Sequence, residues 1–333
     1  MSTEAYRETV SLCPHCGADS PARYEVRADA VRLLIDCPAH GVSSEAVESD
    51  PAFFRAGYER DYRPPVAHLV FPLTYRCNVA CRYCYTLSNV GSGRLPDRSL
   101  KRIMALFGAT TGNVTLIGGE PTVRDDLPQI VRAMKAAAPG RRISVASNGQ
   151  KLADPAYLGS LQDAGLDFVF LSVNDIAYED SDTTLARKLA ALENCNRAGM
   201  PVWLQRTVDS LDQLDSLSPL VERYGRVVFK TTVRAVKSYG AQYPAVQVHV
   251  SDMIRRLGRE DAFDWGTMPF NRVIRLGGRP AKVCSWVNDV RRTDPLDSAY
   301  ILSNDEITQF HRGMKLDELM LKGMALAEAR AVT

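Results

Sequence analysis

The stretch CNVACRYC at residues 77–84 places three thiols, Cys77, Cys81 and Cys84, in a single short loop. Cysteine thiolates at this spacing suit an iron–sulfur cluster or zinc. A structural zinc site normally has four protein ligands, and no fourth cysteine or histidine follows within reach in this loop; the nearest preceding histidine is His68. We therefore favour a four-iron cluster whose fourth iron has no protein ligand, with zinc as the alternative.

From residue 66 the sequence alternates between short apolar runs and amphipathic runs. The predicted strands are 68–74, 113–117, 142–146, 168–173, 202–207 and 227–233. The predicted helices between and after them are 98–107, 127–138, 154–164, 183–198 and 210–224. This alternation implies parallel strands joined by right-handed crossovers. The predicted fold class is α/β, a partial (β/α)6 barrel with its reactive site at the carboxyl ends of the strands.

Three motifs stand at the ends of the first three predicted strands. The cysteine loop follows the first strand, GGEP at 118–121 ends the second, and SNG at 147–149 ends the third. With the aromatic Tyr83 before the third cysteine, these motifs resemble the signature of the radical S-adenosylmethionine (radical SAM) superfamily. The resemblance covers about residues 66–235. It implies a [4Fe-4S] cluster on the three cysteines and S-adenosylmethionine as a second cofactor.

The GGEP motif suits contact with that cofactor, whose amino and carboxylate groups would chelate the open iron. Gly118 and Gly119 would let backbone carbonyls approach the amino group closely, and Glu120 would offer a negative partner. The alternative is a simple strand-terminating turn.

Later strand ends supply further candidates. Arg206 is placed to pair with the cofactor's carboxylate; the alternative is a surface arginine. Ser172 and Asn174 are placed to face the cofactor or the substrate; the alternative is that they cap a helix. The complete set of cofactor-binding candidates is Tyr83, Gly118, Gly119, Glu120, Ser147, Asn148, Ser172, Asn174 and Arg206.

The resemblance also implies the chemistry. One electron would enter from a flavodoxin- or ferredoxin-type donor, and the cofactor would break to methionine and a 5′-deoxyadenosyl radical. That radical would abstract hydrogen from a small-molecule substrate, while the protein positions the reactants and excludes water.

The N-terminal region, residues 1–65, contains a second set of metal-ligand residues. Cys13, Cys16, Cys37 and His40 form two Cys-x2-Cys/His turns, a spacing that predicts a structural zinc site, with rubredoxin-like iron or unligated residues as alternatives. The region has few aliphatic residues, so we expect the metal to stabilise it. These knuckles resemble the N-terminal module of the subfamily that contains tetraether lipid synthase and a pterin-precursor methylase.

The barrel is predicted over 66–235 and a substrate-covering extension over 236–333. Helical patterns at 253–259 and 306–331 predict an α-rich extension. It lacks the further cysteines that an auxiliary cluster would need, so we carry over no substrate from the subfamily.

Two cysteines remain outside these sets. Cys195 continues a helical apolar stripe and is predicted to be a core residue. Cys284 fits no stripe; its thiol could return a hydrogen atom to a substrate radical, which would give an epimerase, or it is an inert buried cysteine. Radical methylation and carbon–carbon bond formation are the alternative reactions. A non-catalytic zinc-binding interaction protein is the alternative from another class.

Composition excludes several partners. Lys+Arg number 41 and Asp+Glu 39, a net charge of +2 with no basic stripe, which argues against nucleic acid. No apolar run reaches the ~18–20 residues of a membrane helix. The polar N-terminus does not resemble a signal peptide, so we expect a cytoplasmic protein.

Overall fold

The structure is a computed structural model. It describes residues 4–13, 15–16, 18–58, 68–74, 76–79, 97, 99–108, 112–173, 182–208, 210–217, 226–231, 248–258, 263–265, 271–276, 279–284, 290–291, 299–303 and 306–309. The chain divides into two compact units. The first comprises Met1–Pro64, Arg206–Asp297 and His311–Lys315, and the second comprises Pro65–Gln205, Ser298–Phe310 and Leu316–Thr333.

The described strands are β1 (Glu4–Leu12), β2 (Asp19–Val26), β3 (Val31–Cys37), β4 (Gly41–Glu48), β5 (His68–Thr74), β6 (Asn113–Gly118), β7 (Ile143–Ser147), β8 (Phe168–Ser172), β9 (Val202–Val208), β10 (Arg226–Thr231), β11 (Phe263–Trp265), β12 (Asn271–Leu276), β13 (Arg279–Cys284), β14 (Val290–Arg291), β15 (Ala299–Ser303) and β16 (Glu306–Gln309). The described α-helices are α1 (Pro51–Tyr58), α2 (Leu100–Gly108), α3 (Leu127–Ala137), α4 (Pro155–Asp163), α5 (Asp182–Arg197) and α6 (Val250–Arg256).

The second unit is built on a parallel sheet. Strands β5, β6, β7, β8 and β9 lie side by side in chain order, each parallel to its neighbour. Helices α2 to α5 alternate with them, which confirms the partial α/β barrel predicted from the sequence. At the other edge β15 pairs in parallel with β5, and β16 pairs antiparallel with β15.

Apolar faces of these strands and helices form the core of the second unit. Strand residues Leu116, Val145 and Leu171 are fully buried, as are Ile130 and Met134 on α3. At about 25 cal/mol per Å² of apolar surface removed from water, such residues are the main stabilising term. They fix the strands in register and so align their carboxyl ends.

Helix starts follow local chemistry. Asp154 caps α4 by accepting a hydrogen bond from Ala156 N at 2.9 Å. At the start of α2, Ser99 Oγ accepts a hydrogen bond from Arg102 N at 3.3 Å. The predicted helix over 210–224 is, in its described part, a 3-10 helix at Leu211–Leu217.

The first unit begins with an antiparallel sheet in the order β14-β1-β2-β3-β4. Its inner face packs on α1. The core residues are Ala22, Tyr24, Val26, Val31, Leu33, Ile35 and Phe54. The N-terminal region therefore has an apolar core in addition to its candidate metal ligands, which corrects the expectation that it contains little apolar material to bury.

A second group of hydrogen-bonded strands in the first unit corrects the prediction of an α-rich extension. It runs β11-β12-β13-β10, with β12 antiparallel to β13 and β13 parallel to β10. Among the described residues after 235, α6 is the one α-helix, close to the helix predicted at 253–259. Residues 306–309 are the strand β16, where β-branched Ile307 and Thr308 favour extended backbone; the rest of the predicted 306–331 helix lies outside the described residues.

A polar network joins α6 to the end of β4 within the first unit. His249 Nδ1 contacts Asp252 Oδ2 at 3.0 Å, and Ser49 Oγ donates to Asp252 Oδ1 at 2.6 Å. Ser251 Oγ donates to the buried carboxylate of Glu48. Although burial acts the other way, the hydrogen bonds from His249 and Ser49 lower the pKa of Asp252 to about 2. Over the ranges that the structure describes, no helix is both long and apolar enough to cross a membrane.

Candidate functional site

Backbone contacts tie the carboxyl ends of β5 and β6 together. Gly119 N donates to Thr74 O at 2.9 Å, and Glu120 N donates to Arg76 O at 2.8 Å. A Cβ placed on Gly118 would lie 2.2 Å from Thr74 O. Only glycine therefore fits position 118, and the segment leading to Cys77 is fixed against the GGEP motif by main-chain atoms.

Glu120 is the centre of a buried hydrogen-bond network. Its Oε1 accepts from Thr122 N at 3.1 Å, from Thr122 Oγ1 at 2.6 Å and from Ser147 Oγ at 2.8 Å. Its Oε2 accepts from Asn148 N at 2.6 Å. The residue is 1% exposed, and burial raises the pKa of its carboxyl group. Among the described residues, Asn148 N is the one donor to Oε2, which leaves this oxygen a second acceptor position for a ligand.

Asn148 links this network to the first cysteine of the loop. Its Nδ2 donates to Asn78 Oδ1 at 2.8 Å and to Cys77 Sγ at 3.9 Å. Its Oδ1 accepts from Gln150 N at 3.0 Å. An amide oxygen held by a main-chain N–H leaves the nitrogen facing Cys77, so the orientation of the amide follows from its contacts.

Ion pairs hold the segments on either side of the site. Arg76, just before Cys77, pairs with Asp97 at 2.6 Å, so the residues that flank the cysteine loop are joined. The buried Arg124 pairs with Asp126 at 2.7 Å and donates to Leu73 O at 3.1 Å.

The remaining predicted cofactor residues lie on the neighbouring strands or outside the described residues. Ser172 is half-buried at the end of β8, and Arg206 is 3% exposed in β9, so Arg206 is not a surface arginine. Tyr83 and Asn174 lie outside the described residues, as do the cluster candidates Cys81 and Cys84.

The two leftover cysteines occupy different positions. Cys195 is fully buried, and burial raises the pKa of its thiol to about 12, which confirms a core residue. Cys284 is the last residue of β13, in register with Lys230 of the parallel strand β10 and with Asn271 of β12.

The described part of the strand-end site fits the two implied cofactors. Cys77 Sγ receives an N–H donor, as the sulfurs of cluster cysteines commonly do. Glu120 offers a buried carboxylate with one open acceptor position, which suits an ammonium group. This donor set supports Cys77 as a cluster ligand and Glu120 as a contact of the amino group.

The N-terminal ligand residues converge on one point. Ligand atoms of Cys13, Cys16, Cys37 and His40 all lie within 4.8 Å of one another. Cys16 Sγ and Cys37 Sγ are 3.9 Å apart, and His40 Nδ1 lies 3.7 Å from Cys13 Sγ and 3.5 Å from Cys37 Sγ. A tetrahedral zinc ion with ordinary bond lengths would have ligand–ligand edges of roughly 3.5–3.8 Å. The four residues therefore fit a tetrahedral Cys3His metal site.

Local backbone geometry shapes this site. Cys13 N donates to Ala18 O at 2.8 Å, and His15 N donates to Cys13 Sγ at 3.4 Å. The adjacent His40 nitrogen lowers the pKa of Cys37 to about 6, and a thiolate is the form that binds metal. His15 is exposed and lies outside the ligand set.

Two residues of the strand-end site were not predicted. Asn78 and Thr122 each complete a hydrogen bond in the network described above. Thr122 had a sequence signal, because Glu120 precedes Pro121 in the way that a capping residue precedes a short helix. The pairing of Asn78 had none, because it depends on the path of the loop.

Two family profiles match this chain. Residues 71–211 match the family described as "Radical SAM superfamily", and residues 5–49 match the "HMPTM N-terminal zinc ribbon domain". The first segment contains Cys77, Glu120 and Asn148, and the second contains the whole Cys3His set. Both matches agree with the resemblances drawn from the motifs.

Curated relatives match over part of their length. A 7,8-dihydro-6-hydroxymethylpterin dimethyltransferase of Methanocaldococcus jannaschii is 25% identical over 58% of this chain and 45% of its own. A probable GTP 3′,8-cyclase of Metallosphaera sedula is 37% identical over 35% of this chain and 37% of its own. This chain thus spans less than half the length of either relative. Among solved structures, SuiB of Streptococcus suis bound to S-adenosylmethionine aligns over 71% of this chain and 67% of its own, with 14% identity and a TM-score of 0.46.

Proposed function

This chain carries a radical SAM domain and an N-terminal zinc ribbon, and from that premise we propose that it is an enzyme that abstracts hydrogen from a small-molecule substrate. The observation that carries the proposal is the joining of Cys77, Asn148 and Glu120 at the carboxyl ends of parallel strands. Bound there, a [4Fe-4S] cluster and S-adenosylmethionine supply a 5′-deoxyadenosyl radical, the species that attacks unactivated C–H bonds.

The protein's own residues bind and orient in this proposal. Cys77, Cys81 and Cys84 hold the cluster. Glu120 receives the amino group of the cofactor on Oε2, and Arg206 pairs with its carboxylate. We assign Tyr83, Gly118, Gly119, Ser147, Asn148, Ser172 and Asn174 to the remaining cofactor contacts. A flavodoxin- or ferredoxin-type protein is the proposed electron donor.

At the N-terminal site we propose zinc in a structural role. The ligand–ligand distances suit a tetrahedral ion, and the matching family is a zinc ribbon. A Cys3His set filled by protein ligands leaves no open position for chemistry. Rubredoxin-like iron is the alternative, and metal analysis of the purified protein separates the two.

Radical methylation of a heterocyclic substrate is one proposed subtype. It is supported by the pterin dimethyltransferase of M. jannaschii and by the zinc ribbon profile. Transfer of a methyl group would add that group's mass to the product and consume a second molecule of S-adenosylmethionine or another methyl donor. Carbon–carbon bond formation is the related alternative.

Epimerisation is a second subtype, and it depends on Cys284. This residue ends β13 beside the parallel strand β10, and reactive groups of α/β folds gather at the carboxyl ends of parallel strands. Residues 236–333 would cover the substrate, and the Cys284 thiol would give a hydrogen atom to the substrate radical. The S–H bond is weaker than most C–H bonds, so this transfer runs downhill. The thiyl radical left on Cys284 would return to the thiol by taking one electron from the flavodoxin- or ferredoxin-type donor and one proton from water.

Anaerobic reconstitution tests the proposal. The protein is loaded with iron and sulfide, reduced, and assayed for 5′-deoxyadenosine from S-adenosylmethionine. A brown protein that releases 5′-deoxyadenosine supports the radical enzyme. A colourless protein with zinc at Cys77, Cys81 and Cys84 indicates the non-catalytic zinc-binding protein instead.

Substrate screening then separates the subtypes. A product heavier by one methyl group indicates methylation, and deuterium from heavy water at one product carbon indicates epimerisation. The variant Cys284→Ala eliminates that deuterium if Cys284 is the donor and leaves it unchanged if it is not. Cys195→Ala is the matched control, because Cys195 is a core thiol.

A further inference from the structure

We propose that Asn148 is a positioning residue: its side-chain amide donates a hydrogen bond to Cys77 and thereby raises the reduction potential of the cluster. This inference rests on the proposed function, because it requires a cluster on Cys77. It differs from the cofactor contact that the sequence predicts for Asn148. Its basis is the approach of Asn148 Nδ2 to Cys77 Sγ at 3.9 Å.

The contacts of Asn148 fix its amide in one orientation. Gln150 N donates to Oδ1 at 3.0 Å, which leaves Nδ2 as the group that faces the cysteine. One amide hydrogen is directed to Asn78 Oδ1 at 2.8 Å and the other to Cys77 Sγ. Every polar atom of the side chain has a partner, so rotation would break hydrogen bonds that are already made.

The backbone of Asn148 is fixed as well. Its N–H donates at 2.6 Å to the buried carboxyl group of Glu120. Glu120 is in turn held by Ser147 and Thr122. The donor that faces Cys77 therefore belongs to a network at the ends of β6 and β7.

The electrostatic consequence has a definite sign. One-electron reduction adds a negative charge to a cluster, and an N–H dipole directed at a ligating sulfur stabilises the more negative state. Hydrogen bonds to the sulfurs are among the factors that set cluster potentials. Loss of this donor makes reduction less favourable and lowers the potential.

The measurement is a redox titration of the reconstituted cluster, monitored by electron paramagnetic resonance and made without S-adenosylmethionine. The variants are Asn148→Ala, which removes the amide, and Asn148→Asp, which retains an acceptor for Gln150 N but replaces the donor by a charge. The matched control is Asn113→Ala. Asn113 Oδ1 accepts from Arg142 N at 3.0 Å at the opposite end of β6, so this variant also loses an amide–backbone hydrogen bond.

We expect Asn148→Ala to reduce the equilibrium constant for reduction about three- to tenfold, where tenfold corresponds to about 59 mV for a one-electron couple. Asn148→Asp lowers it further because it adds a negative charge, and Asn113→Ala leaves it unchanged. Should Asn148→Ala not retain its cluster, Asn148→Asp gives the comparison.

Intact clusters with the wild-type potential in both Asn148 variants would overturn the inference while leaving the proposed function in place. Failure of the wild-type protein to assemble a cluster refutes the proposed function itself. The two failures are thus distinguishable.

Discussion

Replacing Glu120 by alanine tests the network that organises the strand ends. The change removes the acceptor of four hydrogen bonds, two from main-chain N–H groups of Thr122 and Asn148 and two from the hydroxyls of Thr122 and Ser147. The hydroxyls can rotate to other acceptors, but the main-chain donors cannot. A buried donor left unsatisfied costs about 1–3 kcal/mol.

The two stranded N–H groups set the size of the effect. Together they cost about 2–6 kcal/mol. Part of this cost is offset, because the variant no longer has to bury a carboxyl group whose charged form is disfavoured by burial, as its raised pKa indicates. We expect a net loss of about 2–4 kcal/mol, which for a unit of this size is a fall in Tm of roughly 5–15 °C.

Thermal unfolding of the purified protein measures this loss. Asp154→Ala is the control, because Asp154 caps α4 at an exposed position and its removal costs about 1 kcal/mol. A Tm for Glu120→Ala no lower than that of Asp154→Ala would refute the reasoning.

The variant Glu120→Gln separates the charge from the hydrogen bonds. The folded-state pKa of Glu120 is raised above 4.5, so the wild-type protein loses stability as the pH rises from about 4.5 through that pKa. Glu120→Gln lacks this part of the pH dependence. An unchanged pH dependence in the variant contradicts the assignment of a raised pKa to Glu120.

Three further predictions address other parts of the molecule. Gly118→Ala places a Cβ 2.2 Å from Thr74 O and destabilises the protein by more than ~2 kcal/mol, whereas Gly159→Ala, on a helix with open space around it, stabilises it by about 0.5–1 kcal/mol; chemical denaturation compares the two. The pKa of Asp252 is about 2 in the folded protein, against an ordinary value of 3.8, and this difference contributes about 2 kcal/mol to the free energy of unfolding. The contribution is present above pH 3.8 and is lost as the pH falls towards 2. The variant Asp252→Asn should lack this acid transition when unfolding is measured as a function of pH. Cys37→Ser removes one of the four N-terminal ligands, and metal analysis should show the zinc content fall from one per chain towards zero while iron loading is unchanged.

The parallel strands were predictable because both their periodicity and their ends carry signals. The strand predicted at 68–74 is β5, and the strand predicted at 168–173 is β8 apart from its last residue. Apolar runs bounded by loop residues specify such strands locally. The confirmed α/β class follows from their alternation with helices.

The C-terminal strands were missed although the sequence carried a signal. β12 and β13 are antiparallel, with Leu276 opposite Arg279, and two glycines separate them in the sequence, a common hairpin pattern. Residues 306–331 are predicted to form a helix because their apolar residues have helical spacing. The β-branched residues 307 and 308 at the start of this range favour a strand instead. Short strands that pair with distant partners have weak local signals.

The chemistry-bearing residues of the site were predictable, but their mutual contacts were not. The motifs predict Cys77, Glu120 and Asn148 as neighbours at strand ends. Glu120 accepts three hydrogen bonds on Oε1 and one on Oε2, and the amide of Asn148 faces Cys77. These contacts depend on side-chain geometry between residues that are far apart in the sequence. No pattern in a single sequence encodes such contacts.

The main-chain bonds from Gly119 to Thr74 and from Glu120 to Arg76 have a consequence for sequence change in this fold. The acceptors are main-chain carbonyls, which every residue type has, so a change of side chain at position 76 would remove the ion pair with Asp97 but keep these main-chain bonds. Divergent chains could thus preserve this anchor while sharing little identity around it. Such chains would be recognised by the distance between their cysteines and their paired glycines better than by the residues in between.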